Sequence, residues 1–118
     1  MKNDGRIKRV GFAEESLREA YDSLKKGRFE DRQTYEYLGK AFDDLEKNPY
    51  AGIKVPGSIW PKIYIRKYGI DNLRKYDMPN GWRLIYTLRG DTVQIVAVIL
   101  EWFTAHKEYA KRFGYKVR

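Results

Sequence analysis

Two β-forming runs joined by a tight turn limit this chain more than any other feature. Trp82-Arg83-Leu84-Ile85-Tyr86-Thr87-Leu88 is followed by Arg89-Gly90-Asp91 and then by Val93-Gln94-Ile95-Val96-Ala97-Val98-Ile99-Leu100. The second run is the most apolar segment of the chain, too short to span a bilayer and rich in β-branched residues. It predicts a central strand buried on both faces. Pro79-Asn80-Gly81 precedes the first run, and Asn-Gly favours a hairpin because both residues tolerate positive φ. Residues 73–78 are therefore expected to pair through that turn with residues 82–88, which pair in turn with a strand over about residues 92–101.

Upstream of the turn the apolar period lengthens. Residues 6–12 hold enough β-formers for a short first strand. Leu17, Ala20, Tyr21 and Leu24 then share one face of a helix over residues 13–26, with Gly27 as its C-cap. Tyr35, Leu38, Phe42 and Leu45, with Ala41 beside them, mark a second helix over residues 31–47 that Asn48-Pro49 must end. The short link between them predicts an antiparallel helical hairpin. Residues 50–58 read as a loop. Residues 59–68 read as a short helix, although Ile63 and Ile65 also suit a strand. Pro61 stands in its first turn, Gly69 follows its end, and it presents Lys62, Arg66 and Lys67 to solvent. Residues 105–113 form a terminal helix that Thr104 could cap and Gly114 could stop. The order β-α-α-(α)-β-β-β-α implies one α+β domain over residues 1–118. Its sheet is four-stranded and antiparallel-rich, with the helical hairpin on one face and the other face open and partly basic.

Composition removes several chemistries. There is no cysteine, which excludes disulfides, zinc–thiolate sites and thiol nucleophiles. One histidine and scattered carboxylates give no metal-ligand spacing. No Gly-rich phosphate loop or nucleophile elbow is present, so neither a metal nor a cofactor is expected. No stretch is long enough to cross a bilayer, and Met1-Lys2-Asn3-Asp4-Gly5-Arg6 lacks the apolar core of a signal peptide, which reads as a cytoplasmic protein without membrane contact. The net charge is +8, and its placement is uneven. Residues 1–48 hold 11 Lys/Arg and 11 Asp/Glu, leaving 24 − 11 = 13 basic and 16 − 11 = 5 acidic residues in 49–118. Such segregation suits an anionic partner, nucleic acid being the commonest, although a small soluble domain can carry as much charge for solubility alone.

Period-two alternation places Trp82, Leu84, Tyr86 and Leu88 on one face of their strand and Arg83, Ile85, Thr87 and Arg89 on the other. An arginine within a strand needs a partner or a ligand. An ion pair with a carboxylate such as Glu101 would satisfy Arg83, and so would a phosphate held bidentately. His106 is the only histidine, the residue type that titrates near neutrality, and Tyr109 lies one helical turn on, with Lys107, Lys111 and Arg112 around them. A histidine in a charged tail is also an ordinary surface residue, and Tyr109 and Phe113 would equally serve to pack the tail on the sheet. Arg, Lys, His and Tyr are the residue types that metal-free RNA cleavage uses. The 2′-hydroxyl attacks its neighbouring phosphate, a base takes its proton, cations stabilise the developing charge, and an acid protonates the leaving 5′-oxygen.

Taken in series, Gly81-Trp82-Arg83-Leu84-Ile85-Tyr86, the apolar strand and His106-Lys107-Glu108-Tyr109…Arg112-Phe113 resemble the RelE/ParE superfamily of bacterial and archaeal toxins. The resemblance implies a compact toxin held by an acidic antitoxin that wraps or threads across it. Its RelE branch implies a metal-free endoribonuclease that cuts messenger RNA in the ribosomal A site. It casts Arg83 as the clamp on the transition-state phosphate, and His106 and Tyr109 in proton transfer or base stacking. Lys62, Arg66, Lys67, Lys107, Lys111 and Arg112 become RNA-binding candidates. Residues 59–68 look like an insertion relative to the shortest members, and the tail continues beyond Tyr109. The ParE branch implies the alternative, a DNA gyrase inhibitor without nuclease activity, and a member that only binds RNA or antitoxin is a third possibility.

Overall fold

The hairpin at Asn80-Gly81 forms as expected. Asn80 and Gly81 have φ of 66° and 72°, and the Trp82 N–H donates to the Pro79 carbonyl at 3.3 Å. The computed structural model describes residues 5–115. Its elements are β1 (Ile7–Phe12), α1 (Glu15–Leu24), α2 (Phe29–Lys47), β2 (Ile53–Lys54), α3 (Lys62–Tyr68), β3 (Arg74–Asp77), β4 (Arg83–Gly90), β5 (Gln94–Phe103) and α4 (His106–Phe113). Asn48 ends α2 ahead of Pro49, and Gly69 and Gly114 close α3 and α4 at φ of 59° and 75°. Ala105, not Thr104, is the N-cap of α4. Among the described residues no helix is long and apolar enough to cross a membrane.

The fold is α+β, and its sheet has five strands in the order β1-β5-β4-β3-β2. The strand absent from the four-stranded expectation is β2, two residues inside the segment read as a loop. It is too short to carry a period, and it exists because Ile53 and Lys54 pair with Lys75 and Arg74. β1 runs parallel to β5, from Ile7 opposite Gln94 to Phe12 opposite Ile99, and the remaining pairs are antiparallel.

The alternation read on β4 separates two cores. Leu84 and Tyr86 join Ala97 and Ile99 beneath Leu38, Ala41, Phe42 and Leu45 of α2, with Trp82 and Leu88 at the margin. The helical hairpin thus covers one face, but mainly through α2. No residue of α1 is fully buried, and Tyr21 stacks on Tyr35 at 4.7 Å and meets Phe42 edge-on at 5.0 Å. The other face is covered, which corrects the expectation of an open one. Ile85, Leu100 and Phe103 lie there beneath Tyr64, Ile70, Leu73, Tyr109 and Phe113. The terminal helix buries its own apolar stripe instead of standing off the sheet, and α3 contributes Tyr64 while Ile63 and Ile65 stay exposed.

A β-bulge sets where the second core begins. Tyr86 faces Ile99 and Ile85 faces Glu101, so Leu100 is an extra residue on β5. Continued alternation from Ile95, Ala97 and Ile99 would have turned Glu101 toward α2. The bulge turns it instead toward α3 and α4.

Candidate functional site

The site is assembled where the start of β4 meets the end of β5. Arg83 lies directly opposite Asp77 of β3 on one side and Phe103 of β5 on the other. Three residues beyond Phe103 the chain enters α4 at His106, and the first turn of that helix lays Tyr109 over Arg83. The guanidinium carbon is 4.4 Å from the centre of the Tyr109 ring, a cation–π contact. Tyr109 is 4% exposed. Its ring stacks on Phe113 at 4.7 Å, meets Phe103 edge-on at 5.7 Å, and lies 6.4 Å from the His106 ring. His106 itself is exposed at the start of the helix.

The hydrogen bonding of Arg83 is incomplete. Its Nη1 donates to the Gly81 carbonyl at 2.9 Å. Its Nε is buried and has no hydrogen-bond acceptor, since the nearest carboxylate oxygen, Oδ1 of Asp77, is 3.9 Å away. A buried charged donor without an acceptor costs about 1–3 kcal/mol, and native structures rarely tolerate one without a use for it. Lys75 Nζ lies 3.8 Å from the same Asp77 oxygen. Because Lys75 is opposite Ile85 and Asp77 opposite Arg83, all three project on the Arg83 face of the sheet. Burial, reinforced by the neighbouring Tyr115 hydroxyl, pushes the Tyr109 phenol up to about 12, while Arg83 pulls in the opposite direction. At neutral pH the phenol is protonated.

The structure gathers Arg83, His106 and Tyr109 at one end of the sheet, with Lys107 and Lys111 on the exposed side of the same helix. It does not bring Lys67 to them. Lys67 Nζ pairs with Glu14 at 2.9 Å and lies over the Tyr68 ring, and the Tyr68 carbonyl accepts from Arg89 at the far end of β4. Lys67 therefore belongs to the Arg89 end, roughly 20 Å along the strand from Arg83, and Arg66 beside it on α3 is exposed. Lys62, the first residue of α3, is exposed and makes no contact with the Arg83 cluster among the described residues. Arg112 is engaged elsewhere, its Nε and Nη2 donating to Glu101 at 2.9 and 3.0 Å while the Tyr64 hydroxyl donates to the same carboxylate at 2.6 Å. Burial first, and then that carboxylate, push the Tyr64 phenol far above its ordinary range. Glu101 is thus not the counter-charge of Arg83. The bulge aims it at α3 and α4, and Asp77 takes the place beside Arg83.

Sequence reasoning passed over Lys75 and Asp77. The signal was the loop length. A two-residue Asn80-Gly81 loop would set Met78 opposite Arg83. The observed loop is Pro79–Gly81, with the Met78 N–H donating to the Trp82 carbonyl at 2.8 Å, and it sets Asp77 there instead. Among the described residues no group of three or more His, Asp or Glu side chains could hold a metal ion.

Residues 12–100 match the family described as ParE toxin of type II toxin-antitoxin system, parDE. The matched span takes in the helical hairpin, α3, Lys75, Asp77 and Arg83, and stops at the bulge, ahead of His106 and Tyr109. No curated protein and no solved structure matches the chain.

Proposed function

The chain belongs to the ParE toxin family of type II toxin–antitoxin systems, and from that premise we propose that it is a toxin that cleaves messenger RNA on the ribosome without a metal. Membership implies an antitoxin partner. An acidic segment of that partner would compete with RNA for the cations around Arg83.

The observation that carries the nuclease reading is the buried, acceptor-less Nε of Arg83, held over Tyr109 one helical turn from His106. A phosphodiester seated there supplies the missing acceptor and a full negative charge. In the proposed reaction the bond from O2′ to phosphorus forms and the bond from phosphorus to O5′ breaks. The two non-bridging oxygens face the guanidinium as their charge grows. His106 takes one of the two proton transfers. The ammonium of Lys75, on the Arg83 face, is the group that can supply the other. Tyr109, protonated and buried, holds Arg83 in place and does not act as the base.

The gyrase-inhibitor reading has its own support. With Tyr109 buried and Arg112 locked to Glu101, the surface of the cluster offers one imidazole and few free cations, enough for a protein contact without chemistry. A brief pulse of expression, followed by mapping of message ends and assay of DNA supercoiling, separates the two. The nuclease reading expects truncated messages and their loss, by about a hundredfold or more in rate, in the Arg83→Ala variant. Intact messages together with blocked supercoiling would replace it with the gyrase reading.

A further inference from the structure

The sheet has a second basic site at the end opposite Arg83. A cleft of about 490 Å³ opens beside the β4–β5 turn, lined by Arg6, Lys54, Arg74 and Arg89 and by the rings of Tyr50 and Trp60. The cations around it are held in an unusual way for this molecule. Elsewhere Arg18, Lys67, Lys75, Arg83 and Arg112 lie within ion-pair distance of carboxylates. In the cleft, neutral carbonyl oxygens hold the Arg74 guanidinium. Arg74 Nη1 donates to the carbonyls of Tyr50 at 3.2 Å and Gly52 at 2.6 Å, and Lys54, opposite Arg74 in the register, projects on the same face, while Arg89 projects on the other and donates to the Tyr68 carbonyl. Among the described residues no ion pair joins Lys54, Arg74 or Arg89 to a carboxylate. The one carboxylate in the lining, Asp71, accepts from the Asn72 amide.

The aromatic groups are equally fixed. The Trp60 indole N–H donates to the Val55 carbonyl at 2.7 Å. The Tyr50 ring lies 5.2 Å from the Arg74 guanidinium, and its hydroxyl accepts from Arg6 at 3.0 Å. Carbonyls orient a guanidinium without neutralising it, so the remaining donors keep their full charge for an anion. A fixed ring beside such donors is a stacking surface for a planar base, and the volume lies in the range that small ligands occupy.

We propose that this cleft binds a nucleotide, with the phosphate on Arg74 and Lys54 and the base against Trp60. The inference is independent of the reading given to Arg83. The ligand is either a free mononucleotide or one nucleotide of a single strand, and the shared chemistry is a phosphate beside a base.

The test is titration of isotope-labelled full-length chain with adenosine 5′-monophosphate, adenosine, inorganic phosphate, a short single-stranded RNA and a polyglutamate peptide. The Trp60 indole resonance reports the site. Adenosine 5′-monophosphate should move it at about tenfold lower concentration than adenosine or phosphate alone. The paired change Lys54→Gln with Arg74→Gln should weaken binding by about tenfold, while Arg83→Ala leaves it unchanged. RNA binding more tightly than the mononucleotide assigns the cleft to a strand, and equal binding assigns it to the free nucleotide. The proposal is overturned if adenosine and its monophosphate bind alike, if polyglutamate moves the same resonance at equal charge concentration, or if the perturbed residues cluster at Arg83.

Discussion

Arg83 carries its charge where a strand gives it little freedom and a ring covers one side. Its side-chain direction was legible, because period two needs only the strand. Its neighbour was not, because register depends on whether two or three residues make the loop. The same limit hid the partner of Glu101. The roles at this scale divide cleanly on Tyr109. If it positions Arg83 through its ring, Tyr109→Phe should retain messenger RNA cleavage to within about threefold, the size expected for one modest hydrogen bond. Tyr109→Ala should abolish cleavage and cost about 3–5 kcal/mol of stability, since a packed ring is removed from Phe103 and Phe113. Equal loss in both variants, measured by cleavage assay and urea unfolding, would assign the hydroxyl a direct part in the chemistry.

At the scale of elements, α4 is held by more than apolar contact. Glu101 receives Arg112 from α4 and Tyr64 from α3, tying both helices to β5 through one carboxylate. Its removal leaves a buried phenol and a guanidinium without their acceptor. Glu101→Ala should therefore cost about 1–3 kcal/mol in urea unfolding, after allowance for the partial exposure of the pair. Adding Arg112→Ala should cost less than the sum of the single changes, and strict additivity would mean that the two do not interact. The helices themselves were readable. Their stripes, glycine stops and the Asn48-Pro49 break carried the signal. A bulge carries none, because one extra residue in an apolar run leaves composition unchanged while reversing every later side chain.

For the whole molecule, the missing layer was the second one. α3 and α4 are short, and each offers few buried residues, so neither announces a core alone. Their packing leaves tyrosines at both faces of the sheet. Burial pushes Tyr21, Tyr76 and Tyr109 up to about 12, and raises Tyr64 and Tyr86 as well. A phenol whose proton is held more tightly in the folded chain adds stability that is fully present below its unfolded value of about 10 and is lost as pH rises through the folded one. Melting temperature should be insensitive to these groups near neutrality and fall steeply between about pH 10 and 12, in step with tyrosinate absorbance. Titration of the phenols well before unfolding would show that they are not enclosed as described.

The excess positive charge of residues 49–118 is distributed to both ends of this sheet, at Arg83 and at the Arg74–Arg89 cleft. The last helix both completes the Arg83 cluster and roofs Ile85 and Leu100. A stop codon or frameshift just past Phe103 would therefore strip away the helix that covers Arg83 and lay bare a greasy face in the same event. A cell that disarms this gene late in its reading frame inherits an insoluble fragment for its proteases to clear, not a harmless spare copy.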